Sequence, residues 1–255
     1  MTRRVVQHSP RVRTAVMLPP PEASWAYFFD IDGTLADIEM VPEDVRIAAE
    51  VRTTIDWLYE ITGGAVALVS GRSVADIDRH YPGSRMPLSG QHGVEGRDAN
   101  GVYHTNVVDT RLLDGVRAAL VEAVSRHEGL ILEDKGFSLA LHYRQRPQLA
   151  AYSHRLMREA QAVIGTAFVI QNGKRVVEIK PAFAEKGAAM RQLMTLPAFE
   201  KRMPVFVGDD VTDENGFAAA NEMGGSSIKI GQGKTVAKWR LGNITELMTW
   251  LHRTR

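Results

Sequence analysis

Acidic and hydroxyl side chains follow three short hydrophobic runs of the sequence. Asp30 and Asp32 follow an aromatic run, Ser70 follows a second apolar run, and Asp209 and Asp210 follow a third. Runs of this length and composition are typical of buried strands. Sites in open parallel sheets form at the carboxyl ends of strands. The five side chains are therefore expected at one edge of a sheet, although each alone could be a turn former or a helix cap.

The segment around Asp30 predicts a magnesium site. Carboxylates that approach a common point repel each other unless a cation lies nearby. Oxygen ligands without His or Cys favour Mg²⁺. Gly33 allows close backbone approach, and its N–H can meet a phosphate oxygen.

Strand and helix patterns alternate in the two outer parts of the chain. A helix between two buried strands, with short connections, predicts a parallel βαβ unit, and the same alternation returns near the C-terminus. The predicted elements are strands at 25–29, 65–69, 204–207 and 227–230 and helices at 45–59, 185–196 and 245–252.

The stretch from about residue 88 to 180 has more polar strands, which predicts a sheet with one covered and one open face. Asn172-Gly173 predicts a hairpin turn. The fold class is therefore expected to be α/β, a Rossmann-like parallel-sheet core with an inserted α/β cap domain. The expected elements are strands at 101–104, 136–143, 168–170 and 176–179 and helices at 110–127 and 147–164. The expected divisions are a flexible basic arm at 1–22, a core at 23–90 and 181–255, and the cap at 91–180.

Composition excludes several classes of function. The 255 residues include no Cys, which rules out disulfides, Cys-based zinc sites and a Cys nucleophile. Lys and Arg (31) nearly balance Asp and Glu (30), so nothing draws the chain to nucleic acid in general. No run approaches the ~20 apolar residues of a membrane span. The protein is expected to be a cytoplasmic monomer without nucleic-acid or membrane partners.

Four segments occur in the order found in haloacid dehalogenase-like (HAD) phosphatases. Asp-Ile-Asp-Gly-Thr-Leu at 30–35 resembles their first motif, and Ser70 after a hydrophobic strand resembles the second. Lys186 at a helix start resembles the third, and Gly-Asp-Asp-Val-Thr-Asp-Glu at 208–214 resembles the fourth. A lone Asp-x-Asp motif is weak evidence for this family, whereas all four motifs in the same order are specific to it.

A finer resemblance, from about residue 25 to 250, is to the trehalose-6-phosphate phosphatase family. It rests on four further segments. One of them departs from the usual pattern, because this chain has Gly-Gln-His-Gly, with Gln91, where Gly-Leu-His-Gly is common in the family. The segments are Ser-Gly-Arg at 70–72, Gly-Gln-His-Gly at 90–93, Leu-His-Tyr-Arg at 141–144 and Gly-Lys-Arg-Val-Val-Glu-Ile-Lys-Pro at 173–181.

The resemblance implies roles for the core residues. Asp30 would be the nucleophile that forms an aspartyl-phosphate, and Asp32 the acid and then the base. Mg²⁺ would be held by the side chains of Asp30 and Asp209 and the backbone carbonyl of Asp32. Asp210 and Asp213 would orient ligands or waters. The residues expected to bind phosphate are Gly33, Ser70, Gly71, Arg72 and Lys186, of which Ser70 and Lys186 would also be catalytic.

The resemblance also implies that the cap selects trehalose 6-phosphate. The hydroxyls of a disaccharide need charged or amide partners in a desolvated site. Most Lys and Glu are surface charges, so each candidate alone could be one. The expected substrate contacts are Glu133, Lys135, Lys174 and Glu178, followed by His92, Arg144 and Asn172.

Other functions remain open at this point. The chain could be another HAD sugar-phosphate phosphatase, such as a sucrose-phosphate type, or a phosphosugar mutase. It could also be a non-catalytic regulatory subunit of a trehalose-synthesising complex, although the intact motif residues argue against this. A nucleic-acid binder that uses the arm is opposed by the balanced charge.

Overall fold

A computed structural model describes residues 18–254. Residues 1–17 of the predicted arm lie outside the described residues. Residues 18–22 do not form part of a free arm: Leu18 is buried, and Trp250 Nε1 donates to the Pro19 carbonyl at 2.7 Å. The sequence predicts a flexible segment up to residue 22, and the structure places its last part against the core through these two contacts.

The strands between residues 18 and 254 form two sheets of eight and four strands. In chain order they are β1 (Ala26–Phe29), β2 (Val66–Val69), β3 (Leu88–Gly90), β4 (Glu95–Arg97), β5 (Tyr103–Thr105), β6 (Ile131–Asp134), β7 (Leu139–His142), β8 (Phe168–Gly173), β9 (Val176–Pro181), β10 (Pro204–Gly208), β11 (Ser226–Ile230) and β12 (Trp239–Leu241).

Helices separate most of the strands, and none among the described residues is long and apolar enough to cross a membrane. They are α1 (Ala49–Ile61), α2 (Val74–His80), α3 (Arg111–Ser125), α4 (Ala150–Ile164), α5 (Lys186–Leu193), α6 (Glu214–Glu222) and α7 (Ile244–Leu251).

The larger sheet has the order β12-β11-β10-β1-β2-β3-β4-β5 and is parallel from β12 to β3. Helices cover both of its faces. Alternate residues of β1 therefore enter two different cores: Tyr27 and Phe29 pack with α1, α2 and α7, whereas Ala26 and Phe28 pack with α5 and α6. This burial on both sides explains the continuous apolar run of β1. The predicted Rossmann-like core is confirmed.

The smaller sheet, here called the cap sheet, is antiparallel with the order β6-β7-β9-β8. Helices α3 and α4 cover one face and bury Leu139, Leu141 and Val177 in a separate core. The strand pleat places the residues between them on the opposite face. Glu178, between Val177 and Ile179, is therefore on the face that α3 and α4 leave uncovered.

Two details differ from the sequence predictions. Strand β4 pairs with β3 and strand β5 pairs with β4 in the larger sheet, so the predicted cap boundary at residue 91 falls inside that sheet. Their polar composition reflects the sheet edge, where β5 is exposed, rather than membership of the cap. The predicted hairpin exists, but Gly173 pairs with Val176, so its turn is Lys174-Arg175 and not Asn172-Gly173. Arg175, the second residue of this turn, adopts a left-handed conformation (φ 61°).

Other sequence predictions were incomplete at element ends. The helix expected from Val45 begins only at Ala49, after a single 3₁₀ turn at Pro42–Asp44. Helix α2 was not predicted because it has only seven residues, too few to show a period. It begins where Ser73 Oγ accepts the Asp76 N–H at 3.1 Å, directly after Arg72.

Candidate active site

Three adjacent strands bring the predicted residues together. β1 lies between β10 and β2, with Phe29 in register with both Val207 and Leu68. Asp30 continues this pairing, because its N–H donates to the Val207 carbonyl at 3.0 Å. The side chains that follow these strands consequently share one edge of the sheet, as the sequence predicts.

A buried acidic cluster lies at this edge. Among the described residues, Asp30, Asp209 and Asp213 each offer a carboxylate oxygen within 4.8 Å of the others. Lys186 Nζ lies 2.8 Å from Asp30 Oδ1 and 2.7 Å from Asp213 Oδ1. The backbone N–H groups of Asp209 and Asp210 each donate to Asp213 Oδ2 at 2.9 Å. One lysine thus ties the nucleophile candidate to the turn that carries the other two carboxylates.

The electrostatics of the cluster favour a bound cation. Burial, with the neighbouring Asp213, raises the pKa of Asp30 well above its usual range. Burial also raises the pKa of Asp209 to about 6. Burial alone would lower the pKa of Lys186, but Asp213 and Asp30 outweigh it and raise that pKa. Carboxylates that resist ionisation together, with oxygen donors only, fit a hard divalent ion such as Mg²⁺.

The Asp32 carboxylate is not one of the three carboxylates of this cluster, although it lines the same cavity. Arg72 forms a bidentate ion pair with it, in which Nε and a terminal nitrogen each lie 2.7 Å from a carboxylate oxygen of Asp32. The same guanidinium also donates to Asp76 and to the Pro42 carbonyl. Arg72 therefore holds Asp32 in place, and its predicted contact with phosphate stays a prediction.

Gly33 lets the Asp209 carboxylate approach the backbone. A Cβ on Gly33 would lie 2.1 Å from Asp209 Oδ2, and the residue has a left-handed φ of 78°. Both facts require glycine. Gly33 therefore serves the acidic cluster, beside any part it has in binding phosphate.

We expect Gly33→Ala to reduce turnover by about 10²-fold, because Asp209 must move. Gly83 is a matched control, with φ 77° and no atom within 4 Å of the position that a Cβ would take. Both substitutions should destabilise the fold by about 1–2 kcal/mol through the left-handed backbone. Steady-state kinetics and thermal unfolding of the two variants separate the displacement of Asp209 from the backbone strain. Equal activities of the two variants would contradict the predicted clash between a Cβ at position 33 and Asp209.

The cap sheet forms the opposite wall of a cavity of about 130 Å³ above the cluster. Gly33 and Asp213 do not line it but adjoin Asp209, and Asn172, which is exposed, is also absent from the lining. The predicted residues that do line it are Asp30, Asp32, Ser70, Gly71, Arg72, His92, Glu133, Lys135, Arg144, Lys174, Glu178, Lys186, Asp209 and Asp210.

Glu178 is the centre of the charged groups on this wall. Lys135 Nζ lies 3.2 Å from its Oε1, and His92 Nε2 lies 3.2 Å from its Oε2. Burial alone would raise the pKa of Glu178, but Lys135 and His92 hold it well below its usual range. Burial lowers the pKa of His92. A buried carboxylate kept anionic in this way can accept hydrogen bonds from hydroxyls.

The other predicted contacts lie nearer the core residues. Lys174, at the hairpin turn, places Nζ against Asp209 Oδ2 and its N–H 3.2 Å from Asp210 Oδ2. Arg144 donates to the Lys174 carbonyl at 3.1 Å. Lys174 thereby joins the cap sheet to the acidic cluster, a position that its surface-like sequence context does not reveal.

Several site residues were missed by the sequence prediction. Ser138 Oγ lies 2.6 Å from Glu178 Oε1, and His142 Nε2 lies 2.8 Å from Glu133 Oε2. Lys229 is buried in β11 and donates to the Asp209 carbonyl. The alternation of β7 could have indicated His142, but nothing in the sequence distinguishes Ser138 or Lys229 from ordinary polar residues.

Comparison with known proteins now decides the family. The family model for trehalose-phosphatase matches residues 28–243. The chain belongs to the trehalose-phosphatase family. Trehalose-6-phosphate phosphatase of Escherichia coli (strain K12) is 41% identical over 235 residues, which are 91% of this chain and 87% of the relative.

Solved structures agree on the fold of this trehalose-phosphatase family member. The C-terminal domain of C. albicans trehalose-6-phosphate phosphatase superimposes with a TM-score of 0.81 at 21% identity, covering 91% of this chain and 97% of that one. A haloacid dehalogenase-like hydrolase from Bacteroides thetaiotaomicron gives 0.61 at 15% identity, covering 90% and 98%. The family matched by sequence thus has the HAD fold, as the four motifs predict.

Proposed function

We propose that this protein hydrolyses trehalose 6-phosphate to trehalose and inorganic phosphate by phosphoryl transfer to Asp30. The observation that carries the proposal is the position of buried Asp30 below a cavity whose opposite wall presents Lys135 and Glu178. The family membership and the 41% identical relative support the substrate. The monomeric state and the cytoplasmic location stay predictions of the sequence.

Asp30 would act as the nucleophile. An Asp30 carboxylate oxygen forms a bond to phosphorus while the bond from phosphorus to the sugar oxygen breaks. Lys186, 2.8 Å from Asp30 Oδ1, orients this carboxylate and balances its charge. Splitting hydrolysis into two displacements replaces one difficult step with two easier ones.

Asp32 would move the protons. Arg72 fixes the Asp32 carboxyl by two hydrogen bonds of 2.7 Å at the rim of the same cavity. In the first step it gives a proton to the departing sugar oxygen. In the second step it takes a proton from the water that attacks phosphorus and frees Asp30.

The residues that would hold Mg²⁺ are Asp30 and Asp209, with the backbone carbonyl of Asp32. Asp213, within the same cluster, is bonded to Lys186 and two backbone N–H groups and so orients the turn that carries Asp209. When bound, the ion neutralises charge on the phosphoryl group and the carboxylates. We expect exhaustive chelation to remove activity and added Mg²⁺ to restore it.

The cap wall would select the sugar, with Glu178 as its central acceptor. We expect Glu178→Ala to lower kcat/KM on trehalose 6-phosphate by about 10²-fold, because Lys135 loses its buried partner and the hydroxyls lose an acceptor. A small aryl phosphate has no sugar hydroxyls from which Glu178 could accept hydrogen bonds, so its hydrolysis should fall far less. Equal losses on both substrates would mean that Glu178 is only structural. Glu159→Ala, in an exposed position on α4, is the control.

A panel of phosphorylated sugars tests the proposed substrate. Phosphate release should be fastest from trehalose 6-phosphate and should depend on Mg²⁺. A preference for sucrose phosphate or a hexose phosphate would contradict the substrate but not the chemistry. Absence of release from every substrate would favour a regulatory subunit.

A further inference from the structure

Gln91 occupies a constrained turn between the larger sheet and the cap sheet. It begins the 3₁₀ turn Gln91–Gly93 that joins β3 to β4, and it is 2% exposed. Gln91 and His92 both have left-handed backbone angles, with φ of 46° and 59°. Two such residues in succession persist only when their surroundings hold them. The side chain of Gln91 supplies part of that hold.

The amide of Gln91 bonds to both parts of the molecule. One Nε2 hydrogen goes to Glu95 Oε1 in β4 of the larger sheet at 2.9 Å, and the other goes to the Lys135 carbonyl beside the cap sheet at 2.8 Å. The opposite orientation of the amide would place its oxygen against two acceptors, so chemistry fixes the orientation. Both donors of one NH₂ group therefore connect the core to the cap.

The core end of this bridge is firmly anchored. Glu95 Oε1 also accepts the Val74 N–H at 3.0 Å, and Glu95 Oε2 accepts the hydroxyl of Tyr103. Glu95 is buried and paired with Gly90 in the larger sheet. Any movement of the Lys135 segment away from the core must therefore break its bond to Gln91 or disturb these contacts.

The cap end of the bridge carries the groups that surround Glu178. Lys135 and Ser138 both contact Glu178 Oε1, at 3.2 and 2.6 Å. Gln91 Oε1 lies 3.2 Å from Ser138 Oγ. His92, the next residue of the turn, reaches Glu178 Oε2. The side chain of Gln91 thus fixes the geometry of the charged wall, although Gln91 itself does not line the cavity.

We propose that Gln91 is a positioning residue for sugar recognition, a clamp that holds the segment from Lys135 to Ser138 against the core. The clamp sets Lys135, Ser138 and His92 around Glu178 when the cap covers the cavity. Its role rests on the proposed function, because it acts on the groups assigned to the sugar. The phosphoryl chemistry of Asp30 and Asp32 does not depend on it.

The test compares Gln91→Met and Gln91→Asn with the wild type on two substrates. Methionine keeps the length but no donor, whereas asparagine keeps the amide but is one methylene too short to reach both acceptors. We expect KM for trehalose 6-phosphate to rise about tenfold in both variants, the effect of losing about one buried hydrogen bond. The kcat for a small aryl phosphate should stay within about twofold. Gln148→Met, at an exposed position before α4, is the control.

Several outcomes would overturn the clamp. Equal losses on both substrates would show that Gln91 only supports the fold, and unchanged KM in both variants would show that it positions nothing. Thermal unfolding of each variant identifies one that does not fold, and the other then decides. If the wild type prefers another sugar phosphate, the proposed substrate fails separately, and the same comparison is made with the preferred one.

Discussion

Asp30→Asn is expected to abolish phosphate release, by about four orders of magnitude or more, while the fold remains intact. An amide cannot form the bond to phosphorus that the carboxylate forms. Phosphate release from trehalose 6-phosphate, measured with purified protein and Mg²⁺, checks the loss. Asp37→Asn is the matched control, because Asp37 belongs to the same segment but is exposed.

The stability of Asp30→Asn should move in the opposite direction to its activity. Burial and Asp213 raise the pKa of Asp30, so the folded state holds a proton more tightly than the unfolded chain. At neutral pH the charged form therefore destabilises the metal-free fold, and the neutral amide removes this penalty. With chelator present, the variant should unfold at an equal or higher temperature than the wild type. Added Mg²⁺ should stabilise the wild type more than the variant, and a large loss of stability with chelator would contradict this view of the cluster.

Lys186→Met is expected to weaken both the fold and the reaction. Lys186 is 2% exposed and bonded to Asp30 and Asp213, so its removal leaves buried carboxylates without their partner. The loss should be about 3–5 kcal/mol in the free energy of unfolding and about 10²–10³-fold in kcat. The raised pKa of Lys186 means that its stabilisation is complete at neutral pH and is lost only above the ordinary lysine pKa.

Denaturant unfolding and steady-state kinetics at neutral pH measure the two losses. Lys234→Met, at an exposed position, should change neither. Mg²⁺ should restore part of the stability of Lys186→Met, because a cation replaces part of the missing charge. Wild-type stability together with wild-type turnover would show that Lys186 does not support Asp30.

The sequence predicts the residues at the edge of the larger sheet better than it predicts the contacts that surround them. Asp30, Ser70 and Asp209 could be placed together because apolar strands and short connections dictate a parallel sheet, whose strand ends meet. The pairing of Lys186 with Asp213 is different, because a helix start and a turn 27 residues later meet only through the packing of α5 on α6. Local pattern does not encode such a contact.

The cap wall shows the same limit. Alternation along β7 and β9 predicts which residues oppose the apolar face, and Glu178 is among them. It does not predict that Ser138, Lys135 and the turn at Gln91 converge on Glu178, because that depends on how the cap sheet meets the larger sheet. Lys174 reaches Asp209 because the hairpin turn is at Lys174-Arg175, two residues later in the chain than the turn predicted from Asn172-Gly173.

The covalent step is tested most directly by locating the phosphoryl group. Wild-type protein is mixed with trehalose 6-phosphate and Mg²⁺, quenched in acid during turnover, digested and examined by mass spectrometry. A phosphoryl group should be found on the peptide that carries Asp30, and it should be absent from Asp30→Asn. A phosphoryl group on another residue, or continued turnover by Asp30→Asn, would contradict the assignment of Asp30 as the nucleophile.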